Sequence, residues 1–161
     1  MSAFSYRDDF AEPVQSPQNA LQLIAFSIGD QTYGVEITTV REIRAWNGAT
    51  PLPNTRDYVR GVINLRGTIV PIFDLRARFG EGQTSPTKNH VVVVMSAGEK
   101  WVGVLVDAVS DILTVDRNDI HAVPEGNSAD MELLNGIVTH EDKMVGLIDL
   151  KAVVSGAKVS A

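Results

Sequence analysis

Two stretches of the sequence recur later in the chain, in the same order and without gaps. GDQTYGVEITTVREI, which begins at Gly29, aligns with GEKWVGVLVDAVSDI, which begins at Gly98. GVINLRGTIVPIFDL, from Gly61, aligns in the same way with GIVTHEDKMVGLIDL, from Gly136. Blocks that repeat in one order indicate a duplicated structural unit. The sequence therefore predicts two copies of one small unit, joined by the Gly-, Ser-, Thr- and Pro-containing stretch at 80–89.

Short apolar runs rich in Val, Ile and aromatic residues, separated by turn residues, fill most of the chain. Because no window of a dozen residues keeps the 3.6-residue period of an amphipathic helix, we predict an all-β fold with only short helical segments. The expected strands are Leu21–Ile28, Gln31–Ile37, Val40–Trp46, Val59–Leu65, Thr68–Asp74, His90–Ser96, Lys100–Asp107, Ile112–Val115, Gly136–His140 and Lys143–Asp149. The expected helices are around Thr55–Val59, Leu75–Phe79 and Leu150–Val154.

Small barrels or a sandwich both fit this strand pattern. A unit of about seventy residues made of short twisted strands would most economically close into a small barrel, because closure leaves no strand edge unpaired. We expect a flexible N-terminal tail at 1–20, one folding unit at 21–155 and a C-terminal tail at 156–161. The unit is expected to have two halves, about 21–86 and 89–155, that share a hydrophobic core.

The composition excludes several classes of protein. The chain has no cysteine, which removes disulfides, thiolate zinc sites and a cysteine nucleophile. A formal net charge of −6 argues against a nucleic-acid partner, because phosphate binding needs clustered Lys and Arg. The N-terminus has no apolar region of a signal peptide, and the apolar run at Val91–Met95 is too short to enter a bilayer as a span. We therefore expect a cytoplasmic protein.

No reaction centre is recognisable. The histidines His90, His121 and His140 are scattered, without metal-ligand spacing, and no serine elbow or phosphate-binding loop is present. The acids of VDAVSDILTVDRND fit local backbone contacts better than calcium or acid–base chemistry. Asp74 and Asp149, equivalent in the repeat, are expected to cap the short helices that follow them. We expect no enzyme, no cofactor and no metal.

One predicted hairpin tip carries a charge that folding does not require. The tip at Asn64–Gly67 contains Arg66, whereas the equivalent tip in the second copy is His140-Glu141-Asp142. A tight turn needs glycine or asparagine but neither sign of charge. The opposite charges at two otherwise similar tips therefore indicate recognition of a partner.

The stretches YGVEITTVREI, VRGVINLRGTIVPIFDLRARFG and VGVLVDAVSDIL together closely resemble the CheW family of chemotaxis coupling proteins. The resemblance runs from about Leu21 to Val154. It implies two small SH3-like β-barrel subdomains around a hydrophobic core and a non-enzymatic adaptor. Such adaptors bind the cytoplasmic tip of methyl-accepting chemoreceptors and the regulatory domain of the histidine kinase CheA, placing the kinase under receptor control. The expected location is cytoplasmic, associated with membrane-bound receptor arrays but not inserted into the membrane.

The resemblance also implies a receptor- and kinase-binding surface. Its residues correspond here to Val40, Glu42, Gly61, Asn64 and Arg66. Val40 fits core packing equally well, Gly61 fits a close approach of two strands, and Asn64 fits a turn residue that bonds its own backbone. The core requires neither Glu42 nor Arg66.

The residue pattern is also compatible with two other functions, and several apolar residues fit two positions. A cleft between the barrels would suit a small-ligand-binding or regulatory β-barrel module of another signalling system, and this would need convergent polar groups. A nucleic-acid-binding barrel is the other alternative, which the acidic charge disfavours. Phe73 is expected in the core, whereas four valines fit either the core or an interface: Val92, Val94, Val104 and Val106.

Overall fold

The computed structural model describes residues 19–124 and 132–155. Its strands are β1 (Ala20–Ile28), β2 (Gln31–Glu36), β3 (Val40–Ala45), β4 (Val59–Leu65), β5 (Thr68–Asp74), β6 (Val91–Ala97), β7 (Lys100–Val106), β8 (Ala108–Asp116), β9 (Leu134–His140) and β10 (Lys143–Ile148). The helices are α1 (Leu75–Arg78) and α2 (Leu150–Val154), and single 3₁₀ turns cover Ile37–Thr39 and Arg117–Asp119. The tail expected at 156–161 and nearly all of that at 1–20 lie outside the described residues.

The prediction of an all-β chain with two small barrel units and short helices is confirmed. All ten expected strands are present, and β8 is longer than expected. The prediction of a helix around Thr55–Val59 is wrong. That segment follows Pro51 and Pro53 and makes only a single turn, in which the Val59 N–H donates to the Arg56 carbonyl at 2.9 Å, before β4 begins. One closed turn gains too little to propagate a helix.

Each of the two sheets takes strands from both copies of the repeat. The first sheet has the order β9-β10-β2-β1-β8 and the second the order β4-β5-β7-β6-β3. Because the repeat relates β1–β5 to β6–β10, the two orders are equivalent position by position. In each sheet the first hairpin of one copy lies between strands of the other copy. One hairpin strand forms a parallel pair, β2 with β10 or β7 with β5, and the other forms an antiparallel pair, β1 with β8 or β6 with β3.

This exchange separates the sheets from the sequence halves. A boundary between 21–86 and 89–155 does not divide the two sheets, because β1 and β2 pair with β8–β10 and β6 and β7 pair with β3–β5. The chain crosses from one sheet to the other at Ile37–Thr39 and again at Asp107. We call the sheet that contains β1 the first barrel and the sheet that contains β3 the second barrel.

Equivalent isolated bridges join the two end strands of each sheet. Thr50, beyond β3, pairs with Val62 on β4, and His121, beyond β8, pairs with Ile137 on β9. Both pairs exchange two backbone hydrogen bonds of 2.8 and 2.9 Å. Each bridge lies beside a glycine of the repeat, Gly61 or Gly136, and these positions are therefore where the barrels close.

The apolar side chains form three clusters. Two lie inside the barrels: Leu23, Val138 and Val145 belong to the first, and Val70 and Val92 belong to the second. The third, which we call the central core, combines residues of both barrels and of α2. Its members include Phe26, Tyr33, Phe73, Val104 and Val153. All four valines that fitted either the core or an interface are buried, as is Phe73.

Both helices are capped as the sequence predicted. The Asp74 carboxylate accepts from the Ala77 N–H, and the Asp149 carboxylate accepts from the Ala152 N–H at 3.3 Å. Arg78 ties the helices together, because its guanidinium donates to the Val153 and Ala152 carbonyls at 2.8 and 2.9 Å. These contacts attach α2 to the end of the second barrel.

Candidate functional site

The tip of the β4–β5 hairpin is a tight turn held by Asn64. Arg66 and Gly67 have φ values of 51° and 91°, and the Asn64 side-chain oxygen accepts from the Gly67 N–H at 2.7 Å. Two central residues with positive φ match the right-handed twist of the flanking strands. A non-glycine residue in this region costs roughly 1–2 kcal/mol. The chain therefore keeps an arginine where glycine or asparagine would be less strained.

Arg66 reaches from this tip to the edge strand β3. Its guanidinium donates to the Glu42 carboxylate at 2.7 Å, and Arg44 lies 3.5 Å from the other oxygen of the same carboxylate. The Arg66 side chain is 69% exposed and that of Glu42 is 25% exposed. The pair therefore presents a fixed but solvent-accessible charge pattern, which we call the Glu42–Arg66 surface.

The other predicted site residues have separate positions. Val40 lies on the same strand as Glu42, where it is half-buried and packs against the central core. Gly61 lies near the start of β4, whereas Arg66 lies beyond its end. A Cβ at Gly61 would collide with the Thr50 carbonyl, so a close strand approach accounts for this glycine. The structure therefore brings Glu42, Asn64 and Arg66 together and leaves Gly61 at the barrel closure.

The exposed large apolar residues of the described chain form two equivalent pairs. Ile43 and Ile69 belong to the second barrel, and Ile112 and Met144 occupy the same repeat positions in the first barrel. Sequence reasoning missed this, although both pairs can be read from the repeat alignment. The tip that accompanies Met144 carries Glu141 with φ 50° and Asp142 with φ 67°. The two barrels thus present equivalent apolar positions beside tips of opposite charge.

Asp107, where the chain crosses between the barrels, anchors three other segments. Its carboxylate accepts from the Gly29 N–H and from the Arg76 guanidinium, both at 2.7 Å, and His90 lies 3.5 Å away. Local interpretation of the acidic cluster missed this role, because Gly29 and Arg76 are 78 and 31 residues distant in sequence. Among the described residues, Asp111 and Asp116 make the local backbone bonds expected of that cluster.

The environment of Asp107 sets the direction of its pKa. Desolvation by burial raises the pKa, but the Gly29 N–H and the adjacent Arg76, together with charge on His90, outweigh burial and hold the pKa below the ordinary value of 3.8. A carboxylate whose pKa is lower in the folded than in the unfolded chain stabilises the fold at neutral pH. This stabilisation is lost as the pH falls from above the unfolded-state pKa to below the folded-state pKa.

Asp107→Asn is accordingly expected to lower the free energy of unfolding near neutral pH, with a smaller difference from the parent chain in acid. Urea unfolding measured from about pH 7 down to about pH 3 gives both curves. Asp111→Asn, which removes an exposed carboxylate that accepts from the neighbouring Ile112 N–H, is the matched control and should change little. A difference between Asp107→Asn and the parent that stays constant with pH would contradict this role.

The described residues contain no group of three or more His, Cys, Asp or Glu side chains placed to hold a metal ion. The three histidines remain apart: His90 contacts Thr87 and Asp107, His121 forms a closure bridge, and His140 lies 3.6 Å from Glu141. Within the same described ranges, no helix has both the length and the apolarity needed to cross a membrane.

The fold and the site thus define a duplicated two-barrel β-domain whose distinctive feature is an exposed charged surface. The profile of the CheW-like domain matches residues 22–158. The probable chemotaxis protein CheW of Rhizobium etli is 46% identical over 145 residues, covering 89% of this chain and 94% of that protein. The chemotaxis protein CheW of Rhizobium meliloti is 46% identical over 133 residues, covering 82% and 86%.

A solved structure gives the same answer for the fold. The scaffolding protein TtCheW from Thermoanaerobacter tengcongensis superimposes with a TM-score of 0.79 at 29% identity, covering 91% of this chain and 94% of that one. The chain belongs to the CheW-like domain family. It is a chemotaxis scaffold protein of the CheW type.

Proposed function

We propose that this protein is a non-enzymatic adaptor that couples methyl-accepting chemoreceptors to the histidine kinase CheA and places kinase activity under receptor control. It would work in the cytoplasm, bound to membrane-associated receptor arrays. The observation that carries the proposal is the Glu42–Arg66 surface, in which a strained, exposed arginine is held by an ion pair that the core does not need. Strain kept at an exposed position points to function rather than to folding.

We assign the receptor tip to this surface. Glu42, Asn64 and Arg66 would supply its polar contacts, and Val40 and Ile43 lie on the same strand as Glu42. Gly61 would act indirectly, by allowing the closure that fixes the β4–β5 hairpin. An exposed charge of this kind contributes mainly to the association rate and to specificity.

We assign the CheA regulatory domain to the first barrel. Ile112 and Met144 are exposed there at the repeat positions of Ile43 and Ile69, and the adjoining tip carries Glu141 and Asp142. Since the two tips differ in sign, one partner surface cannot be complementary to both. Two barrels with equivalent apolar positions but opposite charges suit an adaptor that holds two different partners.

A reconstitution tests the proposal. The purified protein is mixed with a receptor signalling-tip fragment and with the CheA regulatory domain, separately and together, and complexes are detected by size-exclusion chromatography. We expect binary complexes with each partner and a ternary complex with both. A protein that bound neither partner would contradict the proposed function.

Arg66→Glu should weaken binding of the receptor fragment at least about tenfold, or about 1.4 kcal/mol, because it reverses the charge that the receptor would contact on the Glu42–Arg66 surface. The free energy of unfolding should change by less than about 1 kcal/mol, since the residue is exposed. Titration calorimetry and urea unfolding measure the two quantities. Equal losses of binding and stability would make Arg66 a structural residue.

Two further variants control for the ion pair and for the turn. The exchange Glu42→Arg with Arg66→Glu keeps an internal pair of reversed sign but places a cation beside Arg44, so stability should fall by less than about 1 kcal/mol while receptor binding stays weak. Glu141→Arg reverses a charge at the equivalent tip of the first barrel, which has the same positive φ. It should leave receptor binding unchanged and weaken binding of the CheA domain.

A further inference from the structure

A cleft opens between the first barrel and the β6–β7 turn of the second barrel. Its volume is about 610 Å³, within the range of about 300–1,000 Å³ that is typical of ligand-sized pockets. Three partly exposed aliphatic residues, Ala97, Ile120 and Leu150, form its aliphatic wall, whereas Leu21, Leu23 and Leu147, which also line it, are at most 8% exposed. Apolar surface of this kind favours an occupant with large apolar side chains.

Two cations without an ion pair to any other described residue line the same cleft. Arg117 lies at the start of its 3₁₀ turn and Lys151 lies on α2. The acids that also line it are Glu36, on β2, and Asp149, whose carboxylate already caps α2. The cleft therefore has more free positive than free negative groups, and an occupant with carboxylates would be favoured.

The chain enters β1 at the rim of this cleft. The Arg117 N–H donates to the Asn19 carbonyl at 2.8 Å, and both Arg117 and Leu21 line the cleft. Residues 1–18, which lie outside the described ranges, are thus attached directly beside it. A segment tethered so closely has an effective concentration on the order of millimolar, so even a weak contact is populated.

The sequence of this attached segment has the required chemistry. It carries three aromatic residues, Phe4, Tyr6 and Phe10, with the acids Asp8, Asp9 and Glu12 between and beside them. The ten residues from Phe10 to Asn19 span up to roughly 30 Å when extended. By contrast, residues 156–161 carry a lysine and no aromatic side chain.

We propose that the segment Phe4–Glu12 binds in this cleft of its own molecule, with its aromatic rings on the aliphatic wall and its carboxylates at Arg117 and Lys151. The cleft extends to Thr39 and Met95, and Met95 is paired with Val40. The bound segment would therefore end beside the proposed receptor surface and compete with the receptor. That consequence rests on the proposed function, whereas the intramolecular contact does not.

Paramagnetic broadening tests the contact without any partner. Because the chain has no cysteine, Ser5→Cys allows one nitroxide label, and the methyl groups of Ile120 and Leu147 report its approach. We expect these signals to lose intensity while that of Leu65, inside the second barrel, does not. The loss should disappear in Arg117→Glu with Lys151→Glu, and persist in the matched control Lys88→Glu, with all variants retaining the parent melting temperature.

The result that would overturn the contact is the absence of broadening at Ile120 and Leu147. Broadening that arises only when labelled protein is mixed with separate isotope-enriched protein would also overturn it, because the contact would then be intermolecular. Deletion of residues 2–18 should raise the affinity for the receptor fragment severalfold. An unchanged affinity, alongside intramolecular broadening, would overturn the competition and leave the contact standing.

Discussion

Phe73→Ala is expected to lower the free energy of unfolding by roughly 3–5 kcal/mol, a large share of the roughly 5–15 kcal/mol that holds a domain folded. Phe73 is 2% exposed and belongs to the central core, where side chains of both barrels meet. Its ring lies 6.1 Å from the Tyr58 ring in a stacked arrangement. Removal of the ring would leave a cavity that two packed sheets cannot readily close, so both barrels should be affected.

Urea unfolding followed by circular dichroism measures this loss, and receptor binding should disappear only to the extent that the variant is unfolded. Ile69→Ala provides the control, because Ile69 lies on the same strand and is 50% exposed. It should cost much less stability. A Phe73→Ala protein as stable as the Ile69→Ala protein would contradict the assignment of Phe73 to the central core.

Gly61→Ala is expected to cost on the order of 2–5 kcal/mol, because it combines backbone strain with a steric clash. Gly61 has a φ of +135°, and a Cβ there would lie 2.6 Å from the Thr50 carbonyl carbon and 3.0 Å from the Pro51 Cα. Both neighbours are backbone atoms, one in the closure bridge and one in the residue that follows it, so relief would require the bridge between Thr50 and Val62 to open.

Substitution of two other glycines separates the effect of the steric clash from the effect of backbone strain. Gly67 has a φ of +91° but open space where a Cβ would be, so Gly67→Ala should cost only about 1–2 kcal/mol. Gly136, at the equivalent closure of the first barrel, has no positive φ but would place a Cβ 2.7 Å from the Ile120 side chain. Urea unfolding of the three variants should therefore rank Gly61→Ala as the most destabilised. Equal effects at Gly61 and Gly67 would mean that strain alone matters.

Local features were predictable because they depend on residues close together in sequence. The short apolar runs predicted the strands. Asp74 and Asp149 mark the starts of both helices, and Asn64 forms the expected turn. The duplication itself could be read directly from the alignment. The prediction of a helix near Thr55 was wrong because many sequences form one turn, whereas a helix needs further turns that this segment does not make.

Features that depend on distant contacts could not be predicted. Asp107 looked like one acid among several, and its partners Gly29 and Arg76 approach it only through the crossing between barrels. The contact between Glu42 and Arg66 joins residues 24 apart. The resemblance placed both residues in one site, but only the fold brings the guanidinium to the carboxylate.

The sequence by itself determined that this chain is all-β, duplicated, free of cysteine and of the CheW type, because these properties depend only on local residue patterns, motifs and the repeat. Only the tertiary structure decided which hairpin joins which sheet. The two copies have the same strand pattern, so each first hairpin is locally compatible with either partner. The choice depends on the central core and on the parallel pairs β2–β10 and β5–β7, which form only when the two copies pack together.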